Sequence, residues 1–315
     1  MNLINKIVVP SLKKATQTSL LLIKLILPIS LVFRLLEYSG LLVYVANFLN
    51  PVFIHLGLPG STAMIFITSL FLPLYAPLAI ITSMTLTLRE LTILALMCQL
   101  AHNLPVESAI QAKTGTSFWA MFSVRIAVSI IVGFVLNLIL PLEMGMPTFL
   151  QTSLESINSL SGVFVAWATT SFKLVVMIFI IIAALMLAYK LLEEYNLINR
   201  LSKSIEPILK FFGLPKSTAF LWIIGYVVGL AYGGGLMIGQ MNEGKVTTAE
   251  GSLFNYHLAV SHSAIEDNLL FAALGVSFWL ILAIRLVVAW IVVWLRRAFL
   301  KLKGRIIPQV AYSNI

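Results

Sequence analysis

The chain has 315 residues, of which 60% are hydrophobic and only 10% are charged. Soluble domains carry about 25% charged residues, so this composition excludes a soluble globular protein and indicates an integral membrane protein. The formal net charge of +9 does not indicate nucleic-acid binding, because basic residues beside apolar spans follow the positive-inside rule and the attraction of anionic cytoplasmic lipid.

The first predicted elements are a basic leader, a membrane span and a helix in the membrane interface. Residues 1–17 form the leader, and the apolar run from about Ser19 to Leu36 follows it. That run is long enough to cross a bilayer, which takes about 20 helical residues. Residues 41–56 have apolar residues at helical spacing but are too short and too polar to span, so we expect them to lie along the membrane surface.

Residues 59–84 predict a second span that is broken in its middle. Pro73 and Pro77 flank Tyr75 there, and each proline removes a backbone hydrogen-bond donor. A membrane tolerates such a break only where protein or a water-filled cavity satisfies the freed groups. Tyr75 is therefore a candidate substrate-binding residue.

The segment from Glu90 to Lys113 leaves two interpretations open. It is moderately apolar and has His102-Asn103-Leu104-Pro105 at its centre, where the residue before proline disfavours a continuous helix. One crossing of about two dozen residues is possible, and a re-entrant hairpin of two half-helices fits equally well. Residues 117–140 predict another span, which ends at Pro141.

The pattern restarts after a linker at residues 142–170, which has no lysine or arginine and one modest amphipathic helix near Ser153–Trp167. In chain order, the second set comprises a span at 172–192, an amphipathic helix at 196–212, a span at 215–240, a hairpin or crossing at 250–274, a span at 277–295 and a basic tail. The run Tyr232-Gly233-Gly234-Gly235 stands where the first set has prolines, so we expect it to break the span at 215–240.

The two sets are copies of one another. A shift of 160 residues aligns Glu90, His102, Glu107, Gly115, Ser117-Phe118-Trp119 and Arg125 with Glu250, His262, Asp267, Gly275, Ser277-Phe278-Trp279 and Arg285. A shift of 156 residues aligns six of the seven residues in Gly57–Ala63 with Gly213–Ala219. Identities spread so widely in one register predict a tandem duplication.

The charge distribution favours an inverted arrangement of the copies. If the hairpins are re-entrant, each copy has three crossings, and an odd number turns the second copy upside down. A cytoplasmic N-terminus then places fourteen of the 21 basic residues inside, as the positive-inside rule requires. If the hairpins cross fully, each copy has four spans and both copies point the same way.

We therefore expect an all-α integral membrane protein of two inverted repeats, each with three transmembrane helices, an interfacial amphipathic helix and a re-entrant helical hairpin. The predicted segments are a cytoplasmic leader (1–17), repeat 1 (18–141), an extracytoplasmic linker (142–170), repeat 2 (171–296) and a basic cytoplasmic tail (297–315). The expected location is the cell (inner) membrane, with both termini cytoplasmic. Secondary transporters combine inverted repeats with broken helices, and their sites form where the copies meet.

The main candidates for chemistry are His102 with Glu107 and His262 with Asp267. Ionisable groups inside a bilayer are expensive and usually face a cavity or pair with each other. We favour a role for the histidines at a transport pathway, while a purely structural role stays open.

Arg125 and Arg285 follow the two acids by eighteen residues and lie inside spans. A buried arginine needs an acceptor, and the acid of its own copy is the nearest candidate. We therefore expect structural ion pairs that fix each hairpin to a helix.

Further hydrogen-bonding and small residues complete the predicted substrate-binding set. They are Asn103, Ser263, Glu266, Asn268, Tyr75, Tyr232 and Gly234. His257 and Asn255 lie a turn or more before His262, but a gap of five residues does not place His257 on the same helical face. Thr87 with Glu90, and its counterpart in the second copy, has the spacing of a helix capping box.

Several kinds of site are not expected. The chain has no His-Glu-x-x-His motif and only one cysteine, Cys98, so we expect no zinc site of these types. It has no phosphate-binding loop or dinucleotide fingerprint, so we expect no cofactor. No nucleophile with an adjacent base is evident, so we expect no enzyme.

Two segments carry a family resemblance. Residues 91–107 read Leu-Thr-Ile-Leu-Ala-Leu-Met-Cys-Gln-Leu-Ala-His-Asn-Leu-Pro-Val-Glu, and the second copy has Tyr-Gly-Gly-Gly at 232–235 with Ser-His-Ser-Ala-Ile-Glu-Asp at 261–267. They resemble the nucleoside-recognition, or Gate domain, membrane proteins, a family that includes the bacterial spore maturation proteins A and B. That family is itself similar to the membrane part of ferrous-iron transporter B and to concentrative nucleoside transporters.

The resemblance covers about residues 20 to 295 and implies a family rather than a substrate. The chain has no GTPase domain of the kind fused to the iron transporter, so the resemblance does not imply energy input from GTP hydrolysis. We expect a transporter-like protein that moves or binds a small solute or ion at the interface of the two repeats. One version of this expectation is a nucleoside-like solute whose transport is coupled to protons. The alternatives are a divalent-metal permease or a non-transporting membrane scaffold. Expected partners are the lipid bilayer, the small solute or ion, and a second copy or another membrane protein, but no nucleic acid.

Overall fold

A computed structural model describes residues 4–147, 160–304 and 307–308 of the chain. Every regular element in these ranges is helical, and they contain no β-strand. The all-α fold class predicted from the composition is therefore confirmed.

The first copy forms the helices of the N-terminal half. In chain order they are α1 (Val9–Tyr38), α2 (Leu41–Phe53), α3 (Ala63–Phe71), α4 (Tyr75–Ile81), α5 (Leu88–Ala101), α6 (Leu104–Lys113) and α7 (Phe118–Ile139). The described part of the predicted leader at 1–17 is helical throughout, because a π-helical turn at Ile4–Val8 leads into α1. The gap between α3 and α4 confirms the break predicted around Pro73 and Tyr75.

The second copy repeats this order. Its helices are α8 (Leu160–Glu194), α9 (Leu197–Ser204), α10 (Glu206–Phe211), α11 (Ala219–Val227), α12 (Leu230–Asn242), α13 (Thr248–Ser261), α14 (Ala264–Ala272) and α15 (Phe278–Leu302). The 35-residue α8 joins the end of the predicted linker at 142–170 to the predicted span at 172–192. Residues 148–159 of that linker lie outside the described part, as does the start of the amphipathic helix predicted near Ser153–Trp167. The basic tail predicted from 297 begins as part of α15.

Four helical stretches of the described chain are long and apolar enough to cross a membrane. They are Leu88–Lys113, Phe118–Ile139, Leu160–Glu194 and Phe278–Leu302. The last three confirm long apolar helices at the predicted spans 117–140, 172–192 and 277–295. Within Leu88–Lys113, 72% of the apolar window is buried, against 28%, 22% and 28% in the other three, so Leu88–Lys113 is enclosed by protein and the others leave most of their surface exposed.

The other predicted spans have a different form. The spans at 59–84 and 215–240 each consist of two short helices, and the span at 19–36 is part of α1. A fifth crossing arises if the bent pair Ala46–Leu56 and Gly60–Phe71 counts as one span, and its two parts meet at 98°. The structure has a helix at Leu41–Phe53, and its position in the membrane interface stays a prediction.

The break predicted at Tyr232–Gly235 is wrong. The helix breaks earlier, at Val228–Gly229, where Gly229 has a φ of 88°. The glycine run lies inside α12. Glycine has no side chain and so lets transmembrane helices approach closely, which explains its use there. A Cβ on Gly234 would lie 2.2 Å from Cγ2 of Ile110 in α6. The side chain of Tyr232 lies outside the described part of the structure.

The backbone repeats at the positions that the two sequence shifts align. Gly57 and Gly213 have φ values of 70° and 69°, and Gly115 and Gly275 have φ values of 98° and 107°. These left-handed values favour glycine, because a Cβ would be strained there. Helix α5 begins with a capping box formed by Thr87 and Glu90, and α13 begins with the matching box of the second copy. The duplication predicted from the sequence is therefore also visible in the local structure.

The chain divides into two compact units, and each unit draws on both copies. The first unit comprises Met1–Asn103, Val128–Met186 and Asp267–Ile281, and the second comprises Leu104–Ala127, Leu187–Glu266 and Leu282–Ile315. The first unit therefore contains α5 and α14, while the second contains α6 and α13. Because each broken segment gives one helix to each unit, the units do not coincide with the copies.

Within the first unit, α1 packs against α4, and α3 packs against α4 and α5. Arg34 Nη1 donates to the Ser83 carbonyl at 2.7 Å, which ties α1 to the end of α4. Trp167 Nε1 of α8 donates to Ser30 Oγ of α1 at 2.9 Å. Within the second unit, α12 packs against α6, α11 and α13.

The turn that contains Gly57 or Gly213 is stabilised by an arginine in both copies, but from different positions. In the first copy, Arg89 Nη2 donates to Asn137 Oδ1 at 2.6 Å, and Arg89 Nη1 lies 3.5 Å from the Gly57 carbonyl. In the second copy, Arg297 Nη1 donates to the Gly213 carbonyl at 3.0 Å. Arg297 is the counterpart of Asn137 at a shift of 160, so the copies keep the contact and exchange the residue that makes it.

The single mismatch in the repeated seven-residue motif has a packing cause. A Cβ on Gly60 would lie 2.0 Å from the carbonyl oxygen of Ala46, because α2 runs directly over this turn. The Gly60 amide also donates to Asn50 Oδ1 at 3.1 Å. The aligned residue, Lys216, is exposed and pairs with Glu206 at 2.9 Å, so the second copy leaves room for a side chain.

We predict that Gly60→Ala lowers the free energy of unfolding by about 1–3 kcal/mol, because α2 must shift to admit the methyl group. The matched control, Lys216→Ala, loses only an exposed ion pair and should cost less than about 1 kcal/mol. Denaturant unfolding in detergent, followed by tryptophan fluorescence, measures both. Equal effects of the two substitutions would show that the close contact of α2 does not explain Gly60.

Candidate functional site

The site forms around two matched interruptions of the helices. His102 and His262 end α5 and α13 in extended conformation, with φ and ψ of −74° and 156° for His102 and of −63° and 162° for His262. The residues after them, Asn103 and Ser263, have φ values of 48° and 50°, which non-glycine residues seldom adopt. The interruption predicted at the Asn103-Leu104-Pro105 step is therefore confirmed, and the same backbone geometry recurs in the second copy.

Each interruption is tied to the broken span of its own copy. The Asn103 amide donates to the Ser69 carbonyl, and the Ser263 amide donates to the Gly225 carbonyl, both at 2.8 Å. Ser69 and Gly225 are aligned at the shift of 156. A backbone group freed by a helix break needs such a partner where water is excluded.

Three ionisable side chains converge in the second unit. Arg125 Nη1 lies 2.5 Å from Glu107 Oε2, and His262 Nε2 lies 3.1 Å from the same oxygen. Relative exposure is 0% for Arg125, 1% for His262 and 6% for Glu107, so the group is enclosed. Glu107 and Arg125 belong to the first copy and His262 to the second. The structure therefore brings both copies together at this cluster, which we call the Glu107 site.

The hydrogen-bond geometry determines how many protons the His262–Glu107 pair holds. A backbone carbonyl can only accept, so His262 Nδ1, 2.7 Å from the Leu258 carbonyl, carries a hydrogen. The contact between Nε2 and Glu107 Oε2 needs a second hydrogen between these two atoms. With it, the pair is either imidazolium and carboxylate or imidazole and carboxylic acid. Without it, two lone pairs face each other. The geometry therefore places one shared hydrogen between the two side chains at an enclosed position.

Both buried arginines make hydrogen bonds near the helix interruptions. Arg125 pairs with Glu107, which confirms the ion pair predicted for the first copy. Arg285 is also wholly buried, and it donates through Nε to the Val260 carbonyl at 3.3 Å and through Nη2 to the His262 carbonyl. Arg285 therefore satisfies carbonyls that the end of α13 leaves without helical partners.

Several predicted residues belong to the first unit instead. His102 is 6% exposed and contacts the Gln99 carbonyl through Nδ1 at 3.1 Å. Asp267, Asn268 and Tyr75 are buried in the same unit, and Gln99 Nε2 donates to the Asp267 carbonyl at 3.1 Å. Asn103 is half-buried.

The remaining predicted residues belong to the second unit. Ser263 and Glu266 are half-buried there. Gly234 is buried, and its position is explained by the close approach of α12 to Ile110.

Sequence reasoning missed a polar cluster in the same unit as the Glu107 site. Asn255 Nδ2 lies within 3.1 Å of the carbonyls of Gln111 and Thr114 and of the hydroxyls of Thr114 and Thr116. Gln111 Nε2 in turn donates to the Asn255 carbonyl at 2.9 Å. The available signal was the run of polar residues in an otherwise apolar segment, but only the fold shows that α6 and α13 meet there.

His257 has a structural environment. Its Nε2 accepts from Trp222 Nε1 at 3.0 Å, and the Tyr226 hydroxyl lies 3.0 Å from the same atom. The rings of Phe212 and Phe254 complete an aromatic enclosure. This agrees with leaving His257 out of the predicted site.

One known protein resembles the chain over nearly its whole length. The uncharacterized membrane protein YvoD of Bacillus subtilis (strain 168) is 30% identical to it over 286 residues, which is 90% of the chain and 92% of YvoD. No family model matches the chain. No solved structure matches it significantly. The comparison supports the membrane character that the composition predicted.

We predict that Arg125→Met lowers the free energy of unfolding by about 3–5 kcal/mol, because it leaves the buried Glu107 carboxylate without its guanidinium. Adding Glu107→Gln should recover much of that loss. The control is Lys190→Met, which breaks a half-exposed ion pair of 2.7 Å with Glu193 and should cost less than about 1 kcal/mol. Unfolding in detergent measures all four proteins. If Glu107→Gln does not rescue Arg125→Met, the two residues are not coupled.

Proposed function

We propose that this chain, which belongs to the family of the Bacillus subtilis membrane protein YvoD, is a transporter-like protein that binds a small solute or ion where its two copies meet. Protons are the proposed coupling ion, and a nucleoside-like solute is the proposed cargo. The observation that carries the proposal is the Glu107 site, in which one carboxylate oxygen of the first copy contacts a histidine of the second.

The chemistry of the Glu107 site supports proton binding. Glu107 and Arg125 form a neutral pair, so one proton added at His262 changes the charge of the enclosed group by one unit. Buried charge is expensive in a membrane, and such groups mark proton relays in transporters. Histidine is the side chain whose ordinary titration lies nearest to physiological pH.

The copies and their interruptions support a transporter architecture. We propose that the copies are inverted and that the segments around His102 and His262 re-enter the membrane. We further propose that the protein lies in the inner membrane of the cell, with both termini in the cytoplasm. The matched breaks and the cytoplasmic bias of basic residues support this topology. The resemblance to Gate domain proteins supports the nucleoside-like cargo.

A divalent cation is the second candidate ligand. His262 Nε2 and Glu107 Oε2 are 3.1 Å apart, a separation at which both could bind one ion. Arg125 disfavours it, because its guanidinium lies 2.5 Å from the same oxygen and would repel a cation bound there. We therefore rank the proton above a metal ion.

We predict that purified protein in proteoliposomes admits protons under an imposed inward pH gradient, read by an entrapped pH-sensitive dye. His262→Gln, His102→Gln and Glu107→Gln should lower proton entry about tenfold or more, toward that of empty vesicles, since each removes a titratable group. The matched control, His55→Gln, changes an exposed histidine and should leave entry unchanged.

Tritiated uridine and adenosine, added under the same gradient, test the cargo. A scaffold would move neither protons nor nucleosides, and flux equal to empty vesicles for the wild-type protein would refute transport. Variants that fail to fold would assign His102 and His262 a structural role. Uptake of Mn²⁺ or Fe²⁺ in place of proton entry would favour the metal permease.

We predict opposite membrane sides for two aligned and exposed positions, Lys113 at the last residue of α6 and Ala273 just after α14. On a Cys98→Ala background, a membrane-impermeant maleimide should label Ala273→Cys in intact cells and Lys113→Cys only after permeabilisation. Glu143→Cys, on the far side of α7 from Lys113, is the control and should label in intact cells. Labelling of Lys113→Cys and Ala273→Cys from the same side would show parallel copies.

A further inference from the structure

A column of polar groups runs along one face of α6 within the second unit. Glu107, Ser108, Gln111 and Thr114 are each at most 6% exposed. Residues three and four apart are neighbours on a helix surface, so Glu107 lies beside Gln111, and Gln111 lies beside both Ser108 and Thr114. From Glu107 to Thr114 the column is about 10 Å long, since a helix rises about 1.5 Å per residue.

The column leads from the Glu107 site toward the surface. Thr116, just beyond it, is half-buried, and Lys113 beside it is exposed. Thr116 Oγ1 donates to the Gln111 carbonyl at 2.6 Å and lies 2.8 Å from Asn255 Nδ2. The polar contacts are therefore continuous from Gln111 to a position that solvent reaches.

Two atoms of the column have no hydrogen-bond partner within the described part of the structure. They are Ser108 Oγ and Gln111 Oε1, and both side chains are wholly buried. Buried polar atoms of this kind are normally satisfied by protein or by ordered water. The Asn255 amide does not satisfy them, because its two hydrogens already face four other oxygen atoms.

The second copy shows that the fold does not require the outer part of this column, from Gln111 to Thr116. At the shift of 160, Gln111, Thr114 and Thr116 align with Phe271, Leu274 and Val276, which are 0–2% exposed. At the same shift, Asn255 aligns with Ala95, which is also wholly buried. The positions aligned with Gln111, Thr114, Thr116 and Asn255 are thus apolar, whereas Glu107 and Ser108 align with the buried polar residues Asp267 and Asn268.

We propose that this face of α6 binds a file of water molecules that carries protons between the surface at Thr116 and the Glu107 site. The inference rests on the proposed proton-binding role of that site and adds the route and its direction. A proton that enters at Thr116 passes along the hydrogen-bonded waters beside Gln111 and Ser108 and is taken up between Glu107 Oε2 and His262 Nε2. The route opens on the side of the membrane where Lys113 lies, because the positions of the first unit that match Gln111, Thr114 and Thr116 are apolar.

The first test measures water at Ser108 without relying on transport. On a Cys98→Ala background, full-length Ser108→Cys is exposed to Ag⁺, and the thiols that remain are counted with maleimide after denaturation. Ala95→Cys is the matched control, because Ala95 is the buried apolar counterpart of Asn255. We expect Ser108→Cys to react at least about tenfold faster, since a thiol ionises and reacts only where water reaches it. Equal rates would overturn the proposal.

The second test uses Ser108→Ala, which removes only an unpartnered hydroxyl. We expect unchanged or higher stability, together with proton entry that is slower by about tenfold. Unchanged proton entry would overturn the route, and faster unfolding together with unchanged entry would assign Ser108 to packing. The two proposals fail differently: an unreactive Ser108→Cys with loss of entry in Glu107→Gln retains the function and removes the route. A reactive Ser108→Cys with normal entry in Glu107→Gln supports the hydrated column and refutes the coupling role.

Discussion

Satisfying backbone groups where a helix is interrupted inside the membrane is the constraint on which this structure depends. In lipid, a freed amide or carbonyl costs several kcal/mol, so a break survives only if protein supplies the partner. Here the amides of Asn103 and Ser263 donate to carbonyls of the preceding broken helix in each copy. Arg285 satisfies carbonyls at the end of α13, including that of His262. The same interruptions fix the positions of His102 and His262, so the hydrogen bonds that stabilise the breaks also position the residues of the candidate site.

The copies retain a common backbone while their side chains have diverged. The positive φ values, the capping boxes and the anchoring hydrogen bonds recur at aligned positions. The side chains differ where function is proposed. The acid is Glu107 in one copy and Asp267 in the other, and Asn255 of the second copy aligns with Ala95 of the first. The two copies thus share one backbone frame, and in the second unit it combines an enclosed carboxylate, a histidine of the other copy and a polar column.

Local signals allowed the elements to be predicted from the sequence, and long-range packing accounts for what was missed. Proline and Thr-x-x-Glu spacing act within one turn, so the break near Tyr75 and the capping boxes were predictable. The Arg125–Glu107 pair followed from the cost of burying arginine alone. The contact between His262 and Glu107 joins residues 155 apart, and no local pattern carries that distance. The glycine run misled because glycine serves both helix breaks and close helix packing, and here Ile110 decides between them.

The aligned positions also separate what the fold needs from what the site needs. A buried hydroxyl or amide oxygen without a partner destabilises the folded state by about 1–3 kcal/mol, and Ser108 and Gln111 each carry one. Phe271 and Leu274 occupy positions aligned with Gln111 and Thr114, so the helix accepts apolar residues in the same frame. A helix that could be filled with apolar side chains but carries costly polar ones needs a compensating gain. The proposed hydration of this face of α6 is a gain that accounts for both unpartnered atoms.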